Sequence, residues 1–439
     1  MDLDSIGTWT RTHYSSNVTP EIDSQEVTLF GWVQEIRDLG GIRFVILQDR
    51  EGTVQITVPK KKVTPEVLAK SDFLQKRFSI AVRGFVRKTS MTPRGIEVIP
   101  TDIKVLSVAS SQLPLDVTGK TPANIETRLD ARALDLTQEQ NIAVFKIQHT
   151  ALEAIREFLF ERGFLETHTP RIIASATEGG AALFTIDYFG ERAYLAQSPQ
   201  LYKEQLIMSL ENVFEVGPFF RAEESHTRRH LSEFVSVDIE QAFANANDVM
   251  MLLEQVIQHV CSSVKKRCPV ELATLKHKLI VPEVPFKRLT YDEILSDLKV
   301  RGVTIPWGED IPTEALRLLG KIHPQFYFIV DWPTRSKAFY IKPKKDKPEL
   351  CEGFDLMWRW IELVSGGTRI AEKEDLAKRL KEQGLNPDSF KHHLQAYEYG
   401  MPPHAGWAIG LERLTMILTG KKNIREVTLY PRDRLRLTP

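Results

Sequence analysis

Cysteine is scarce in this sequence, and its copies are not spaced as paired ligands would be. Cys261, Cys268 and Cys351 form no CxxC pair and are odd in number. This pattern argues against a disulfide framework and against a structural zinc site, both of which need paired or clustered ligands. We therefore expect buried thiols in a reducing compartment.

The sequence also lacks a net charge and a long apolar segment. Its 439 residues contain 58 Lys plus Arg and 58 Asp plus Glu, so any nucleic acid must be bound by local patches. No apolar run is long enough to span a membrane, and the amino terminus lacks a basic start followed by an apolar run. We expect two or three domains, no membrane association and a cytoplasmic location.

Residues 1 to 107 contain five strand-like segments. They cover residues 27 to 36, 42 to 48, 53 to 58, 78 to 87 and 95 to 106, with a helical stretch near Thr64 to Phe73. Five strands with a helix between the third and fourth match the OB-fold barrel, whose second and third strands commonly bind oligonucleotides. A barrel that serves only assembly is the alternative.

The remaining chain predicts a hinge and a larger domain. Residues 108 to 136 lack sustained periodicity and carry Pro114, Gly119 and Pro122, which indicates a hinge. From 137 to 439, strands and helices mix without regular βαβ alternation, which predicts an α+β fold with an antiparallel sheet flanked by helices. The segment from about 265 to 345 carries few candidate catalytic groups and is interpreted as an insertion plus strands.

The segment 213 to 242 predicts two strands around a highly charged turn. Apolar residues alternate from Phe234 to Glu240, the period of a half-buried strand. The preceding loop contains Arg221, Glu223, Glu224, Arg228, Arg229 and His230. Guanidinium groups bind phosphate oxygens through paired hydrogen bonds, so this loop suits a polyanion. A solvated hairpin tip is the alternative, because charged turns are common at surfaces.

A glycine pair marks a strand that runs into a helix near the carboxyl end. Gly406 and Gly410 would let the backbone approach a planar ligand, and Arg413 follows in the first helical turn. Gly420 is placed to end the helix. By itself such a glycine pair is weak evidence for a ligand site.

Three segments together resemble the sequence motifs of the class II aminoacyl-tRNA synthetases. The arginine loop resembles motif 2 and the glycine segment resembles motif 3. A helix from about Asn141 to Arg162, followed by Gly163 to Pro170, is similar to motif 1. The resemblance implies the antiparallel catalytic sheet of that class and, through the segment around Pro170, a homodimer.

Two carboxylates lie seven residues apart in the segment from Gly353 to Arg369. A strand period of two would place Asp355 and Glu362 on opposite faces, so only adjoining strands or a bulge could aim both at one cavity. The spacing resembles that of aspartate-type class II synthetases, in which it carries the acidic residues at the ATP-bound metal. This likeness implies Mg²⁺ at Asp355, Glu362 and Ser365, whereas the residues alone suggest surface carboxylates.

The segment QSPQLYK, from Gln197 to Lys203, is similar to the substrate segment of aspartyl-tRNA synthetases. The resemblance implies that Lys203 meets the side-chain carboxylate of aspartate and that Glu178 meets its α-ammonium group. A cationic pocket of Lys203 and Arg369 would leave charge unpaired beside asparagine, at a cost of about 3 to 5 kcal/mol. A solvated lysine beside a Ser-Pro turn is the alternative.

The resemblance to the archaeal type of aspartyl-tRNA synthetase covers nearly the whole chain and implies a full set of contacts. Arg221 and Arg413 would be catalytic, because they would stabilise charge on the phosphates when the carboxylate of aspartate attacks ATP. Aspartate contacts are expected at Glu178, Gln200, Lys203, Arg221, Ser365 and Arg369. ATP contacts are expected at Arg221, Ala222, Glu223, Arg229, His230, Leu231, Glu362, Gly410, Leu411, Glu412 and Arg413.

The same resemblance implies that the barrel binds the tRNA anticodon. Phe44 and Gln55 are similar to the pair that stacks on and reads the central base, although Phe44 could equally be barrel core. The expected contacts are Gln34, Arg37, Phe44, Gln55 and Pro93. The turn at Pro93 resembles members that charge both tRNA(Asp) and tRNA(Asn), whereas Gln34 does not carry the His often seen with them. We expect both tRNAs to be charged. For the function of the protein as a whole, the alternatives are an asparaginyl enzyme and a non-catalytic RNA-binding paralogue.

Overall fold

The computed structural model describes residues 3–174, 183–222 and 229–439. Two compact units, Met1–Ile142 and Ala143–Pro439, divide the chain. The predicted hinge, residues 108 to 136, lies within the first unit and contains two short helices, α2 (Ile125–Asp130) and α3 (Arg132–Asp135). The domain limits expected from the sequence stay predictions.

The first unit is built on a closed five-stranded barrel, as the sequence predicts. Its strands are β1 (Glu26–Asp38), β2 (Ile42–Asp49), β3 (Gly52–Pro59), β4 (Ser79–Lys88) and β5 (Ile96–Ser107), and the order is β1-β2-β3-β5-β4. Helix α1 (Pro65–Phe73) lies between β3 and β4 in the chain, and the Thr64 side chain caps its first turn. Valine, leucine and isoleucine side chains alternate inward and fill the barrel.

The second unit is an eight-stranded sheet covered by helices. Its strands, in spatial order, are β12 (Lys287–Thr290), β13 (Phe326–Val330), β14 (Gly353–Trp358), β15 (Ile361–Thr368), β16 (His404–Gly410), β11 (Glu233–Ala242), β10 (Asn212–Phe220) and β6 (Leu165–Glu166). All pairs are antiparallel except the two at the edges, β12 with β13 and β10 with β6. A smaller sheet contains β7 (Ile172–Ile173), β9 (Glu191–Leu195) and β8 (Thr185–Tyr188).

Two long helices, α4 (Glu139–Phe160) and α6 (Ala246–Arg267), cover one face of the large sheet. Their apolar stripes pack on Val237, Ile239 and Trp407 in the main core. The other helices of the unit are α5 (Gln200–Leu210), α7 (Pro269–Thr274), α8 (Tyr291–Lys299), α9 (Thr313–Ile322), α10 (Lys373–Glu382), α11 (Lys391–Tyr397) and α12 (Leu411–Thr419). Gly420 ends α12 with a φ of 72°, as its position predicts.

The segment interpreted as an insertion, about 265 to 345, supplies β12 and β13 to the edge of the large sheet. Helices α8 and α9 pack beside these strands through a separate apolar cluster. No helix in the described part of the chain is both long enough and apolar enough to cross a membrane.

Candidate active site

One cavity on the polar face of the large sheet collects residues from three distant segments. Arg221 follows β10, Glu362 lies in β15, and Arg413 lies in the first turn of α12. The cavity is lined by Arg221, Arg229, His230, Leu231, Phe234, Ser236, Glu362, Leu363, Ser365, Ala408, Gly410, Glu412, Arg413 and Ile424. The structure thus brings together most of the residues that the sequence predicts for ATP.

Two of the described residues expected at ATP do not line this cavity. Ala222 borders a different cavity, together with Phe220 and Arg432. Leu411 is buried, since α12 begins there with its side chain turned into the protein. Glu178 and Glu223 lie outside the described residues, and their roles stay predictions.

Arg221 presents hydrogen-bond donors to the cavity. Its guanidinium lies 5.3 Å from the ring centre of Phe234, and its buried Nε has no hydrogen-bond partner among the described residues. A buried donor without a partner costs free energy, which an anionic ligand would recover. Arg413 instead donates from Nη1 to the Glu362 carbonyl oxygen at 2.7 Å.

Arg229 extends the positive side of the cavity towards α9. Its Nη2 donates to Thr313 Oγ1 at 2.9 Å, and its guanidinium lies 4.6 Å from the ring centre of Trp360. Burial lowers the pKa of Arg229, and the neighbouring charges of Arg413 and Arg317 lower it further. Guanidinium groups gathered around Arg229 indicate a site for a polyanion such as a triphosphate.

A β-bulge decides where Asp355 and Glu362 point. Strands β14 and β15 pair antiparallel with Asp355 opposite Ser365 and Met357 opposite Glu362, and the register shifts between Leu356 and Met357. Residues 355 and 357 share one face of β14, so both carboxylates lie on that face. An uninterrupted strand period of two would place Asp355 and Glu362 on opposite faces. The extra residue of the bulge places them on the same face.

The surroundings of Asp355 fit a divalent cation. Asp355 Oδ2 accepts a hydrogen bond from Lys337 Nζ at 2.6 Å, whereas its buried Oδ1 has no partner among the described residues. Burial raises the pKa of Asp355, Lys337 opposes that rise, and the charge of Glu362 adds to it. A carboxylate oxygen without a hydrogen-bond partner, on the same sheet face as a second carboxylate, is a ligand that Mg²⁺ accepts.

A second polar cluster lies behind the cavity and contains Lys203 and Arg369. Lys203 Nζ lies 3.2 Å from Asp238 Oδ1 and 3.3 Å from Glu240 Oε2. Arg369 Nε donates to Glu240 Oε1 at 2.9 Å. Burial would lower the pKa of Arg369, but the Glu240 carboxylate outweighs burial and raises it. In the ligand-free structure two carboxylates already contact the two cations, and the charge penalty expected beside asparagine stays a prediction.

Gln200 belongs to a buried network next to this cluster. Its Nε2 donates to Glu204 Oε1 at 2.5 Å, and Glu204 Oε2 accepts from the Tyr397 hydroxyl at 2.8 Å. Burial would raise the pKa of Glu204, but hydrogen bonding and charge from His393 lower it to about 2. This network fixes the side chain of Gln200 at the start of α5.

Three residues of the site were not predicted from the sequence: Lys337, Asp238 and Glu240. Asp238 and Glu240 are the polar members of the alternating strand β11, whose polar face is buried here rather than solvated. Two carboxylates in the middle of an otherwise apolar strand could have indicated a buried polar site. No sequence pattern indicated Lys337, because it lies in the segment that was interpreted as an insertion.

The outer face of the barrel carries the residues expected at the anticodon. Arg37 pairs opposite Phe44, and Phe44 and Gln55 lie on the same face of strands β2 and β3, both partly exposed. Gln55 Nε2 donates to Thr57 Oγ1 at 3.1 Å. Gln34 lies at the bulge of β1, and Pro93 is exposed in the turn between β4 and β5. The face thus offers an aromatic ring beside an amide.

Glu412 gives this cavity a measurable dependence on pH. Burial raises its pKa from 4.5 to about 7, although Oε1 accepts a hydrogen bond from the Val235 amide. The folded protein therefore keeps a proton that the unfolded chain releases, and this group's contribution to stability falls as pH rises from 4.5 to about 7. We expect Glu412→Gln to become more stable relative to wild type by about 2 to 3 kcal/mol between pH 5 and pH 8.

Urea unfolding of both proteins at the two pH values measures this change. Parallel pH profiles for Glu412→Gln and wild type would contradict the assignment of the proton to Glu412.

Comparison with known proteins agrees with this geometry. The family model for tRNA synthetases class II (D, K and N) matches residues 124–434, and that for the OB-fold nucleic acid binding domain matches residues 27–106. Two relatives named aspartate–tRNA(Asp/Asn) ligase are 53% identical in Methanopyrus kandleri and 50% identical in Archaeoglobus fulgidus. Each alignment covers 97% of this chain and 99% of the relative.

Solved structures show the same fold over the whole chain. The asparaginyl-tRNA synthetase of Pyrococcus horikoshii, complexed with asparaginyl-adenylate, gives a TM-score of 0.93 at 32% identity and covers 97% of this chain and 99% of its own. The aspartyl-tRNA synthetase of Entamoeba histolytica gives 0.88 at 32% identity and covers 100% and 96%. With its barrel, its sheet and its arginine-lined cavity, this chain belongs to the class II tRNA synthetases of the D, K and N group.

Proposed function

We propose that this protein is an aspartate–tRNA ligase that activates L-aspartate with ATP and transfers it to tRNA(Asp) and tRNA(Asn). The observation that carries the chemistry is the single cavity lined by Arg221, Glu362 and Arg413. The amino acid and the tRNA class rest on the relatives that are about half identical in sequence. Similarity to asparaginyl structures does not decide between the two amino acids, because both enzymes share this fold.

In the proposed first step, the α-carboxylate of aspartate attacks the α-phosphate of ATP and pyrophosphate leaves. Arg221 would donate paired hydrogen bonds to the phosphate that gains charge, and Arg229 and Arg413 would hold the outer phosphates. Asp355, Glu362 and Ser365 would hold Mg²⁺, which neutralises phosphate charge when bound. No side chain acts as a covalent nucleophile, so the residues act by position and charge.

The amino acid is proposed to bind beside the buried cluster of Lys203 and Arg369. Asp238 Oδ2 is buried without a hydrogen-bond partner among the described residues, and it can accept from the α-ammonium group. Glu178 is proposed for the same group, and Gln200 for positioning the substrate. Selection of aspartate would then depend on how the substrate rearranges the Lys203, Asp238, Glu240 and Arg369 pairs.

The protein is proposed to act as a homodimer through the segment around Pro170. Three large apolar side chains are exposed around this segment, Phe160, Leu165 and Ile172, with exposed fractions of 52%, 50% and 46%. Strand β6 is also an edge strand of the large sheet. An apolar edge of this kind favours pairing with a second copy.

The proposal is tested by ATP–pyrophosphate exchange with aspartate and asparagine in parallel, followed by charging of the two tRNA transcripts. We expect exchange with aspartate only and charging of both transcripts. Exchange stimulated by asparagine and not by aspartate would remove the amino-acid assignment. A strong preference for the tRNA(Asp) transcript would remove the relaxed tRNA specificity.

The barrel face allows a separate test of tRNA binding. Phe44→Ala should weaken tRNA affinity by roughly 1 to 3 kcal/mol, about 5- to 150-fold, because the stacking surface for a base is lost. Exchange in the absence of tRNA should be unchanged, since it does not involve the barrel. Filter binding measures the affinity, and Phe85→Ala, an exposed aromatic on β4, is the control. Equal affinities for Phe44→Ala and wild type would exclude stacking at Phe44.

A further inference from the structure

Lys337 is a largely buried cation in direct contact with Asp355, one carboxylate of the proposed metal site. Its side chain is 14% exposed and that of Asp355 is 4% exposed, and their charged atoms are 2.6 Å apart. The ammonium also lies 4.4 Å from the ring centre of Trp332, and Gln383 Nε2 donates to the Lys337 carbonyl oxygen at 2.7 Å. Lys337 is therefore held in place from both its backbone and its side chain.

The second carboxylate of the pair also has a cation beside it. Arg413 Nη1 lies 3.8 Å from Glu362 Oε1. Two carboxylates are thus matched by two cations, and Arg229 adds positive charge near Glu362. No cluster of three or more His, Cys, Asp or Glu side chains that could hold a metal occurs in the described residues. A divalent cation would therefore meet no net negative charge from these side chains.

We propose that Lys337 is the counterion of Asp355 in the nucleotide-free protein and makes binding of a divalent cation at Asp355 and Glu362 depend on the polyphosphate of the nucleotide. The inference rests on the proposed function, because it takes the Asp355 and Glu362 pair as the metal site. A singly charged group a few ångströms from a dication repels it strongly at the effective dielectric of a protein interior. The phosphates supply the negative charge that the side chains lack.

Asp355 has two carboxylate oxygens, so Lys337 and a divalent cation can both bind this side chain. Lys337 occupies Oδ2, whereas Oδ1 is buried and has no partner among the described residues. The metal can therefore use Oδ1 while Lys337 stays on Oδ2. Lys337 acts as a positioning residue that lowers the affinity for the metal alone without removing the ligand atom.

Mn²⁺ binding followed by electron paramagnetic resonance tests the inference on the full-length protein at pH 8, with and without α,β-methylene-ATP. Wild type and Lys337→Arg should bind Mn²⁺ weakly alone and at least about tenfold more tightly with the nucleotide. Lys337→Met should bind Mn²⁺ alone about tenfold more tightly than wild type does. The double variant Lys337→Met/Asp355→Asn should lose this gain, since the ligand carboxylate is removed.

Unchanged or weaker Mn²⁺ binding by Lys337→Met in the absence of nucleotide would overturn the inference. If this variant does not fold, Lys337→Gln gives a second uncharged side chain for the same comparison. The comparison without nucleotide needs no ATP chemistry, so it stays decisive even if pyrophosphate exchange fails. Failure of exchange and of nucleotide binding by wild type would instead remove the proposed function.

Discussion

Arg221→Lys is expected to reduce the rate of ATP–pyrophosphate exchange by about 10²- to 10³-fold, or about 3 to 4 kcal/mol of transition-state stabilisation. Arg221 borders the cavity with a buried Nε that has no partner among the described residues. A lysine keeps the positive charge but cannot donate two parallel hydrogen bonds in a fixed plane. The loss should therefore fall mainly on the rate and less on the affinity for ATP.

Arg267→Lys is the matched control for this experiment. Arg267 lies at the end of α6, is 39% exposed and pairs with Glu153 and Glu157. Exchange by this variant should equal that of wild type, since the same chemical change is made far from the cavity. An Arg221→Lys rate within threefold of wild type would remove Arg221 from the charge-stabilising role.

Glu240→Gln is expected to destabilise the second unit by about 3 to 5 kcal/mol. The Glu240 carboxylate is fully buried and contacts both Lys203 and Arg369, which are 2% and 3% exposed. A neutral amide would remove the carboxylate that Arg369 contacts and one of the two carboxylates that Lys203 contacts. Removal of one charge from a buried network costs more than the network itself contributes, because the remaining ions stay desolvated.

Scanning calorimetry at neutral pH measures this effect as a lower midpoint for unfolding of the second unit. Glu398→Gln is the matched control, because Glu398 pairs with Lys373 at the surface and is 52% exposed. That change should leave the midpoint almost unaltered. A midpoint for Glu240→Gln equal to that of the control would mean that Lys203 or Arg369 does not need this carboxylate.

The barrel shows how far local sequence patterns reach. All five strands, the helix between the third and fourth, and their order in the chain were predicted within a few residues. Alternating apolar residues and glycine-rich turns act over neighbouring residues, so they can be recognised without a partner segment. The same holds for the end of α12 at Gly420, which takes a left-handed conformation.

The active site was predicted only where a motif marked it. Arg221, Arg229 and Arg413 were expected at one cavity and do line one, whereas Ala222 and Leu411 do not. Asp355 and Glu362 could not be placed from strand periodicity, because the bulge after Leu356 depends on how β14 pairs with β15. The sequence did not predict the buried ion pairs of Lys337 with Asp355, Lys203 with Asp238 and Arg369 with Glu240.

The sequence by itself determined the types of local structure, the barrel topology and the residues that could meet phosphates, since these depend on short periods and on residue chemistry. Only the tertiary structure decided which charges neutralise one another. Lys203 and Asp238 are 35 residues apart, Arg369 and Glu240 are 129 apart, and Lys337 and Asp355 are 18 apart. Whether such groups are buried together depends on the packing of several elements at once, because desolvation of a charge is set by everything that surrounds it.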